Sequence, residues 1–274
     1  MFNQLEILSD EQSEKLYTIR SYFKNLDSAC IAYSGGVDST LVASLAFEQL
    51  GSKAIAITGI SPALANTLRE EARSQAKWIG VKHLEIKTSE LEQSNYSKNP
   101  MDRCFACKKE LHKHTTYLSK KLNYKIVLDG VNLDDLKDYR PGIQASKQAG
   151  VVSPLAQFKF SKQDIRDISK ALGFPWWDKP AQPCLSSRFP YGHEITSERL
   201  KMVEKAEEYL KEGGLSEVRV RCQGSTARIE IPQHELKNFF SKYNFSELVQ
   251  YFSNLGFNCT SLDLEGLISG KLNR

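Results

Sequence analysis

The sequence has no long hydrophobic run, and its charges are nearly balanced. No stretch reaches the roughly twenty apolar residues that a membrane-spanning helix needs, and the first residues lack a basic segment followed by an apolar one. Thirty-seven Lys and Arg against 33 Asp and Glu leave a net charge of +4, which is too small by itself to indicate a nucleic-acid partner. We therefore expect a cytoplasmic protein with neither a membrane nor a nucleic-acid partner.

Internal repeats and low-complexity segments are also absent, which argues against a disordered tail. Hydrophobic residues make up 41% and charged residues 26% of the chain, an ordinary composition for a globular protein. A length of 274 residues fits one large domain or two ordinary ones, and we expect two.

What the sequence does contain is an alternation of short apolar runs with helical patterns. Strands are predicted at 29–33, 53–58, 81–87, 125–129 and 151–155. Helices are predicted between them, at 62–78, 103–122 and 161–172 among other places. Strands separated by helices imply parallel crossover connections, so residues 1–175 are predicted to form an α/β domain with one doubly wound parallel sheet.

The second half is predicted to be a smaller α/β domain. Residues 176–194 are irregular and rich in proline, and we interpret them as an active-site loop and hinge. After this loop, helices are predicted at 197–211 and 235–252, and strands at 217–222, 227–231 and 258–264. Residues 195–274 would therefore fold as a C-terminal domain.

A glycine-containing segment directly after the first predicted strand opens a helix. Its residues, expected to bind ATP, are Ser34, Gly35, Gly36, Val37, Asp38, Ser39 and Thr40. Backbone N–H groups and the positive end of a helix meet an anion at such a place, and glycines let the main chain approach phosphate closely. Asp38 suits a magnesium ion that bridges the phosphates. A Walker loop is excluded, because no Gly-Lys-Ser/Thr is present.

Three of the six cysteines lie where thiol chemistry is favoured. Cys104 and Cys107 form a Cys-x-x-Cys pair at the predicted start of a helix, and Cys184 lies in the predicted active-site loop. The positive helix end favours thiolates at the pair, and Arg188 is expected to do so at Cys184. The pair alone fits a zinc half-site, a redox dithiol or coincidence, whereas all three thiols together fit three irons of a 4Fe-4S cluster. The other three are expected in the core, namely Cys30, Cys222 and Cys259.

Two further groups of charged residues are candidate ligands. Arg219 and Arg221 alternate on a predicted strand, so both side chains share one face that suits a substrate phosphate or is simply solvated. After the fourth strand lies an acidic run, Asp134, Asp135 and Asp138, followed by Arg140. Asp135 in this run is expected to bind ATP or magnesium, although a solvated helix start explains the run as well. His112 and His114 are expected on the surface.

The segment from Ser34 to Thr40 resembles the signature of the PP-loop ATP pyrophosphatases, which cleave ATP between the α and β phosphates. That superfamily includes tRNA thiolation enzymes, GMP and NAD synthetases, and sulfur insertases. Within it the chain is similar over nearly its whole length to the LarE family, the ATP-dependent sulfur transferases of nickel-pincer nucleotide synthesis. The stretches that carry this similarity are 34–40, 129–142, 153–155, 177–180, 184–188, 190–192 and 262–266.

The resemblance implies a reaction and its cofactors. A carboxylate of pyridinium-3,5-biscarboxylic acid mononucleotide is adenylated at the expense of ATP and Mg²⁺, and sulfur then displaces AMP. In some relatives the cysteine matching Cys184 gives up its sulfur and becomes dehydroalanine, while relatives with three cysteines use a cluster-borne sulfide. Because this chain has all three, we expect a 4Fe-4S cluster on Cys104, Cys107 and Cys184. The family also implies a homo-oligomer, a hexamer formed through the C-terminal domain.

The chain departs from the family pattern at two places, and two other functions stay open. Pro183 stands where relatives have alanine, and Leu267 and Ile268 replace an aromatic residue and an arginine. The first alternative function is tRNA thiolation, which would require a basic RNA-binding face or an added RNA-binding domain. The second is a nucleotide-binding module that senses iron or redox state without turnover.

Overall fold

A computed structural model describes residues 2–137, 140–268 and 270–271. Asp138 of the predicted acidic run lies outside these residues. The α-helices, in chain order from α1 to α11, are Asp10–Lys24, Val37–Leu50, Asn66–Ile79, Ser94–Ser97, Arg103–Lys121, Pro141–Gln148, Pro154–Gln157, Lys162–Ala171, Ser197–Glu212, Leu236–Lys242 and Phe245–Leu255. The strands β1 to β7 are Ala29–Ala32, Ala54–Ile60, Lys82–Lys87, Ile126–Leu128, Arg219–Gln223, Thr226–Glu230 and Cys259–Leu262.

The chain divides into two compact units. The first unit comprises the residues up to Glu90 together with Asp102–Gln182, and the second comprises Leu91–Met101 together with the residues from Pro183 onward. The second unit therefore includes a short segment, 91–101, that interrupts the first unit in the sequence. The domain limits drawn from the sequence at 175 and 195 remain a prediction.

The first unit is built on a four-stranded sheet in the order β3-β2-β1-β4, and all of its strand pairs are parallel. This confirms the predicted α/β class with a parallel sheet. The predicted fifth strand at 151–155 is wrong, since only Val152 bridges Leu128. Pro154, which has no N–H group for a strand ladder, begins α7 instead.

Helices cover both faces of this sheet. Successive residues of β1 alternate between two clusters: Ile31 packs with α1 and α2, whereas Cys30 packs with Leu118 of α5. Burial raises the pKa of the Cys30 thiol to about 11, as befits a core residue. β2 and β4 lie on opposite sides of β1, so the strand order reverses between β1 and β4, which leaves a crevice at their carboxyl ends. Ligands bind at this kind of crevice in parallel α/β sheets.

The second unit contains a three-stranded sheet in the order β5-β6-β7, with β5 antiparallel and β7 parallel to β6. The helix predicted at 235–252 is two helices, α10 and α11, because the side chain of Asn244 accepts hydrogen bonds from two N–H groups and starts α11. The segment Leu91–Met101 is fixed to this unit through Asn99, whose amide donates to the carbonyl oxygens of Phe189 and Pro190 at 3.2 and 2.7 Å.

Candidate functional site

The loop between β1 and α2 has a backbone that only glycine accommodates at one position. Gly35 has a φ of +70°, and a Cβ there would lie 3.0 Å from both Cα and Cβ of Ala72 on α3. Gly36 is the N-cap of α2, and no side chain caps the helix there. The first N–H groups of α2 therefore lack intrahelical and side-chain partners, which is the arrangement that binds phosphate oxygens.

Two serine hydroxyls hold this loop in shape. Ser39 Oγ donates to the carbonyl oxygen of Gly36 at 3.1 Å and accepts from the backbone N–H of Ser34 at 3.2 Å. The two hydroxyl oxygens of Ser34 and Ser39 lie 3.1 Å apart. Ser39 is buried, as are Val37 and Thr40, and Thr40 donates to Gln75 at 3.0 Å. Thr40 thus contributes to the loop by anchoring it to α3.

Gly130, at the end of β4, is a further requirement of the site that sequence reasoning did not single out. A Cβ at Gly130 would lie 2.6 Å from the backbone nitrogen of Ser39. The loop after β4 consequently packs directly against the first turn of α2. The sequence signal is a lone glycine after a strand, which indicates a close approach of backbone but does not say to what.

Asp38 is held from two sides by residues that the sequence did not indicate. Asn132 Nδ2 donates to Asp38 Oδ1 at 3.0 Å, and Lys162 Nζ donates to Asp38 Oδ2 at 2.6 Å. The Asp38 side chain is 23% exposed and that of Lys162 is 35% exposed, so the ion pair borders the crevice. Lys162 comes from the start of α8, far from the loop in sequence, and therefore carries no local signal.

Asn132 also connects Asp38 to the acidic run. Its side-chain oxygen accepts from the N–H groups of Asp134 and Asp135, while its own N–H donates to Asp135 Oδ2 at 3.1 Å. Arg140 pairs with the other oxygen of Asp135 at 2.7 Å. Burial raises the pKa of the Asp135 carboxyl, against the opposing effects of the Asn132 N–H and Arg140, and the nearby Asp38 raises it further. The carboxylates of Asp38 and Asp135 thus meet in one crevice.

Lys179 supplies a second cation beside the loop of residues 34–40, which is called the phosphate loop from here on. Its ammonium donates to the carbonyl oxygen of Gly35 at 3.4 Å and forms an ion pair with Glu71 of α3. Its side chain is 14% exposed. The loop is consequently flanked by two lysines, each of which is held by a carboxylate.

The three candidate cluster cysteines are divided between the two units. Cys104 is exposed and Cys107 half-buried on the first two turns of α5 in the first unit, and Cys184 is exposed in the second unit. Within the part of the chain that the structure describes, no group of three or more His, Cys, Asp or Glu side chains is arranged to hold a metal ion. Cys222 is buried as predicted, but Cys259 is exposed on β7, so its assignment to the core is wrong. A strand at the edge of a sheet leaves alternate side chains to solvent.

The backbone around Cys184 is fixed while its thiol is open to solvent. Arg188 is buried and donates to the carbonyl oxygens of Pro183 and Cys184 at 2.7 and 3.3 Å. The hydroxyls of Ser186 and Tyr96 lie 2.6 Å apart, which attaches the loop to the 91–101 segment. Arg188 thus contacts the backbone that presents the cysteine.

The two arginines on β5 have different surroundings. Arg221 is buried, pairs with Glu230 at 2.8 Å and donates to the Ser187 carbonyl oxygen at 2.7 Å. The guanidinium of Arg219 has no hydrogen-bond acceptor among the residues that the structure describes. Burial, together with the charges of Arg188 and Arg221, lowers the pKa of Arg219. An anion that reached Arg219 would relieve this crowding of positive charge.

His112 is wholly buried, so its predicted surface position is wrong. Its Nε2 lies 2.8 Å from Ser146 Oγ on α6. Burial, and then the charge of Lys108, lowers its pKa to about 4. The packing of α6 against α5 covers this side chain, and that packing could not be inferred from the helical pattern of α5 alone.

Comparison with known proteins finds relatives that match nearly the whole chain. It is 33% identical over 261 residues to the pyridinium-3,5-bisthiocarboxylic acid mononucleotide synthase of Lactiplantibacillus plantarum, covering 94% of each chain. It is 54% identical over 260 residues to an uncharacterized protein of Synechocystis sp., covering 95% of this chain and 97% of that protein. An NH(3)-dependent NAD(+) synthetase of Finegoldia magna is 28% identical over 156 residues, which are 55% of this chain and 63% of that one.

No protein-family model matches the chain. In the described ranges, no helix is long and apolar enough to cross a membrane. Identity to the synthase extends over both units, and the match to the NAD synthetase agrees with the parallel α/β fold and its phosphate loop. The chain therefore belongs to the LarE family of ATP-dependent enzymes with a PP-loop fold.

Proposed function

We propose that this protein adenylates a carboxylate of pyridinium-3,5-biscarboxylic acid mononucleotide with ATP and then replaces AMP with sulfur. The observation that carries this proposal is the uncapped start of α2 behind Gly35, flanked by Asp38 and Asp135, in a chain related to a named bisthiocarboxylic acid mononucleotide synthase. The phosphate loop supplies the ATP site, and the relative supplies the class of substrate.

The first step uses the residues of the first unit. N–H groups of α2, including that of Ser39, and the hydroxyl of Ser34 bind the triphosphate. A substrate carboxylate oxygen attacks the α-phosphorus, the bond from that phosphorus to the bridging oxygen breaks, and pyrophosphate leaves with the electron pair. Asp38 and Asp135 offer the carboxylate oxygens that Mg²⁺ prefers, and the ion would neutralise charge on the phosphates. The lysines at positions 162 and 179 lie near enough to the loop to bind the departing pyrophosphate.

The second step uses the second unit. A sulfur nucleophile attacks the acyl carbon of the adenylate, the bond between that carbon and the AMP oxygen breaks, and a thiocarboxylate forms. The exposed thiol of Cys184 is the proposed site of this sulfur, and Arg188 positions its backbone. Arg219 is the proposed ligand of the substrate phosphate, since its guanidinium has no hydrogen-bond acceptor among the described residues, whereas Arg221 is engaged by Glu230.

Cys104, Cys107 and Cys184 are the proposed ligands of a 4Fe-4S cluster that carries the sulfide. Thiolates are the ligands that such clusters require, and Cys104 and Cys184 are both exposed. With three protein ligands, such a cluster would leave one iron free to bind sulfide. Without a cluster, Cys184 would instead give up its own sulfur.

One experiment tests the reaction and separates the two sulfur sources. Protein purified without oxygen is analysed for iron and sulfide, then incubated with ATP, Mg²⁺ and the dicarboxylate mononucleotide. We expect AMP, pyrophosphate and a product in which sulfur replaces one oxygen. Mass spectrometry of Cys184 then reports an intact thiol if a cluster supplies sulfur and dehydroalanine if the residue is consumed.

Controls for this experiment are available within the chain. Cys184→Ser should abolish sulfur transfer, while Cys259→Ser, which removes another exposed thiol of the second unit, should leave it unchanged. Absence of AMP formation with the dicarboxylate mononucleotide would contradict the proposal. If AMP formation then required added tRNA, the tRNA thiolation alternative would replace it.

The second unit is also the proposed site of assembly into a homo-oligomer. Its helices α10 and α11 carry three exposed apolar side chains, Phe240, Phe245 and Val249. The rings of Phe240 and Phe245 lie 5.9 Å apart and so form one apolar area. Light scattering of the purified protein would distinguish the expected oligomer, a hexamer by family resemblance, from a monomer.

A further inference from the structure

The ion pair between Lys162 and Asp38 occupies the place where the proposed function puts a metal ion. Both oxygens of the Asp38 carboxylate already accept hydrogen bonds, Oδ1 from Asn132 at 3.0 Å and Oδ2 from Lys162 at 2.6 Å. A divalent cation bound to Oδ2 would lie within a few ångströms of the ammonium group, and positive charges that close repel strongly in a partly buried site. Asp38 therefore cannot hold Lys162 and a metal ion through the same oxygen.

The backbone of Lys162 is fixed by hydrogen bonds at the start of α8, whereas the only bond that the structure describes for its side chain is the ion pair with Asp38. Its N–H donates to Asp134 Oδ2 at 2.8 Å, and the preceding residue, Ser161, forms a capping box with Asp164 that starts α8. The side chain itself is 35% exposed, and Asp38 is its only hydrogen-bond partner among the residues that the structure describes. A flexible four-carbon stem lets the ammonium move by several ångströms while α8 stays in place.

We propose that Lys162 is an exchangeable counter-ion of Asp38. It neutralises the carboxylate while no nucleotide is bound, and it transfers its ammonium to a phosphate oxygen when the magnesium complex of ATP arrives. The exchange breaks one charge-assisted hydrogen bond and forms another, and Asp38 keeps a cation beside it in both states. This inference rests on the proposed function and adds an order of binding, in which the metal enters with the nucleotide and not before it.

Lys179 provides the contrast that makes the inference specific. It also lies beside the phosphate loop, but it pairs with Glu71 and donates to the Gly35 carbonyl oxygen rather than to Asp38. Removing Lys179 should weaken phosphate binding without releasing Asp38. Removing Lys162 should weaken phosphate binding and also leave Asp38 open to a cation.

The test uses nucleotide-free protein. Electron paramagnetic resonance measures the binding of Mn²⁺, and calorimetry measures the binding of pyrophosphate. We expect Lys162→Met to bind Mn²⁺ about tenfold more tightly than the wild type, because the metal ion no longer has to displace the charge-assisted bond between Lys162 and Asp38. The same variant should bind metal-free pyrophosphate about tenfold more weakly, because it lacks the charge-assisted bond from Lys162 to a phosphate oxygen. Lys179→Met should change pyrophosphate binding only. Lys147→Met, which removes an exposed lysine of α6, should change neither.

A second variant guards against a folding defect. Lys162→Arg keeps the charge, and it should keep Mn²⁺ binding as weak as in the wild type. Thermal unfolding curves verify that Lys162→Met and the wild type are both folded. If the two proteins then bind Mn²⁺ equally tightly without nucleotide, the exchange is refuted even though ATP binds. If the wild type binds neither ATP nor pyrophosphate, the proposed function itself fails, so the two failures are distinguishable.

Discussion

Arg188 and Glu207 form an ion pair that is buried at both ends. Two nitrogens of the guanidinium donate to the two carboxylate oxygens at 2.8 and 2.9 Å, and Glu207 Oε1 also accepts from the backbone N–H of Val220 on β5. Because Arg188 contacts the carbonyl oxygen of Cys184 as well, this pair links the position of the cysteine to the sheet of the second unit.

Replacing Arg188 with Met should destabilise the protein by roughly 3–5 kcal/mol, because Glu207 would keep a buried charge without its partner. The free energy of unfolding in urea measures the effect. His234→Ala removes a side chain that is 82% exposed and should change stability by less than about 0.5 kcal/mol. A stability loss for Arg188→Met no larger than for this control would show that the pair does not fix the loop.

Gly130→Ala should weaken ATP binding by tenfold or more, as its Cβ would collide with the backbone nitrogen of Ser39 and displace the first turn of α2. Calorimetric titration with ATP measures the loss. Gly150→Ala is the matched control, since its φ of +69° strains the backbone while nothing lies within 4 Å of the new Cβ. Equal ATP affinity in the two variants would refute the packing argument.

The phosphate loop and most elements could be predicted from sequence, because both depend on local patterns. A strand, two glycines and an apolar helix are contiguous, so the loop from Ser34 to Ser39 was recognisable. The cations around it were not, since Lys162 reaches Asp38 across 124 positions and Lys179 reaches Gly35 across 144. Local pattern likewise failed where packing decides, as at His112, which α6 covers.

His112 should give the protein a stability that depends on pH. Its pKa is 6.5 when unfolded and about 4 when folded, so the unfolded chain binds more protons between these values. The stabilisation is complete above pH 6.5 and is lost as the pH falls toward about 4. Unfolding measured across this range should show a shallower pH slope for His112→Gln than for the wild type. Parallel slopes would mean that the imidazole titrates normally.

Substitutions of Arg219 and Arg221 should have different effects, the first on substrate binding and the second on stability. Arg219→Gln is expected to raise KM for the mononucleotide about tenfold with little change in melting temperature, because its guanidinium has no acceptor among the described residues. Arg221→Gln is expected to lower the melting temperature, because it leaves the buried Glu230 with Arg228 as its remaining cation. Steady-state kinetics and thermal unfolding of both variants check this division. An unchanged KM for Arg219→Gln would remove Arg219 from the substrate site.

Adenylation of the substrate carboxylate is most directly tested by following one oxygen atom. The dicarboxylate mononucleotide is labelled with ¹⁸O in its carboxylates and turned over with unlabelled ATP. If a carboxylate oxygen attacks the α-phosphorus and sulfur later breaks the carbon–oxygen bond, the AMP that is released carries one ¹⁸O. Release of unlabelled AMP alongside a thiolated product would contradict the adenylate and with it the role of the phosphate loop.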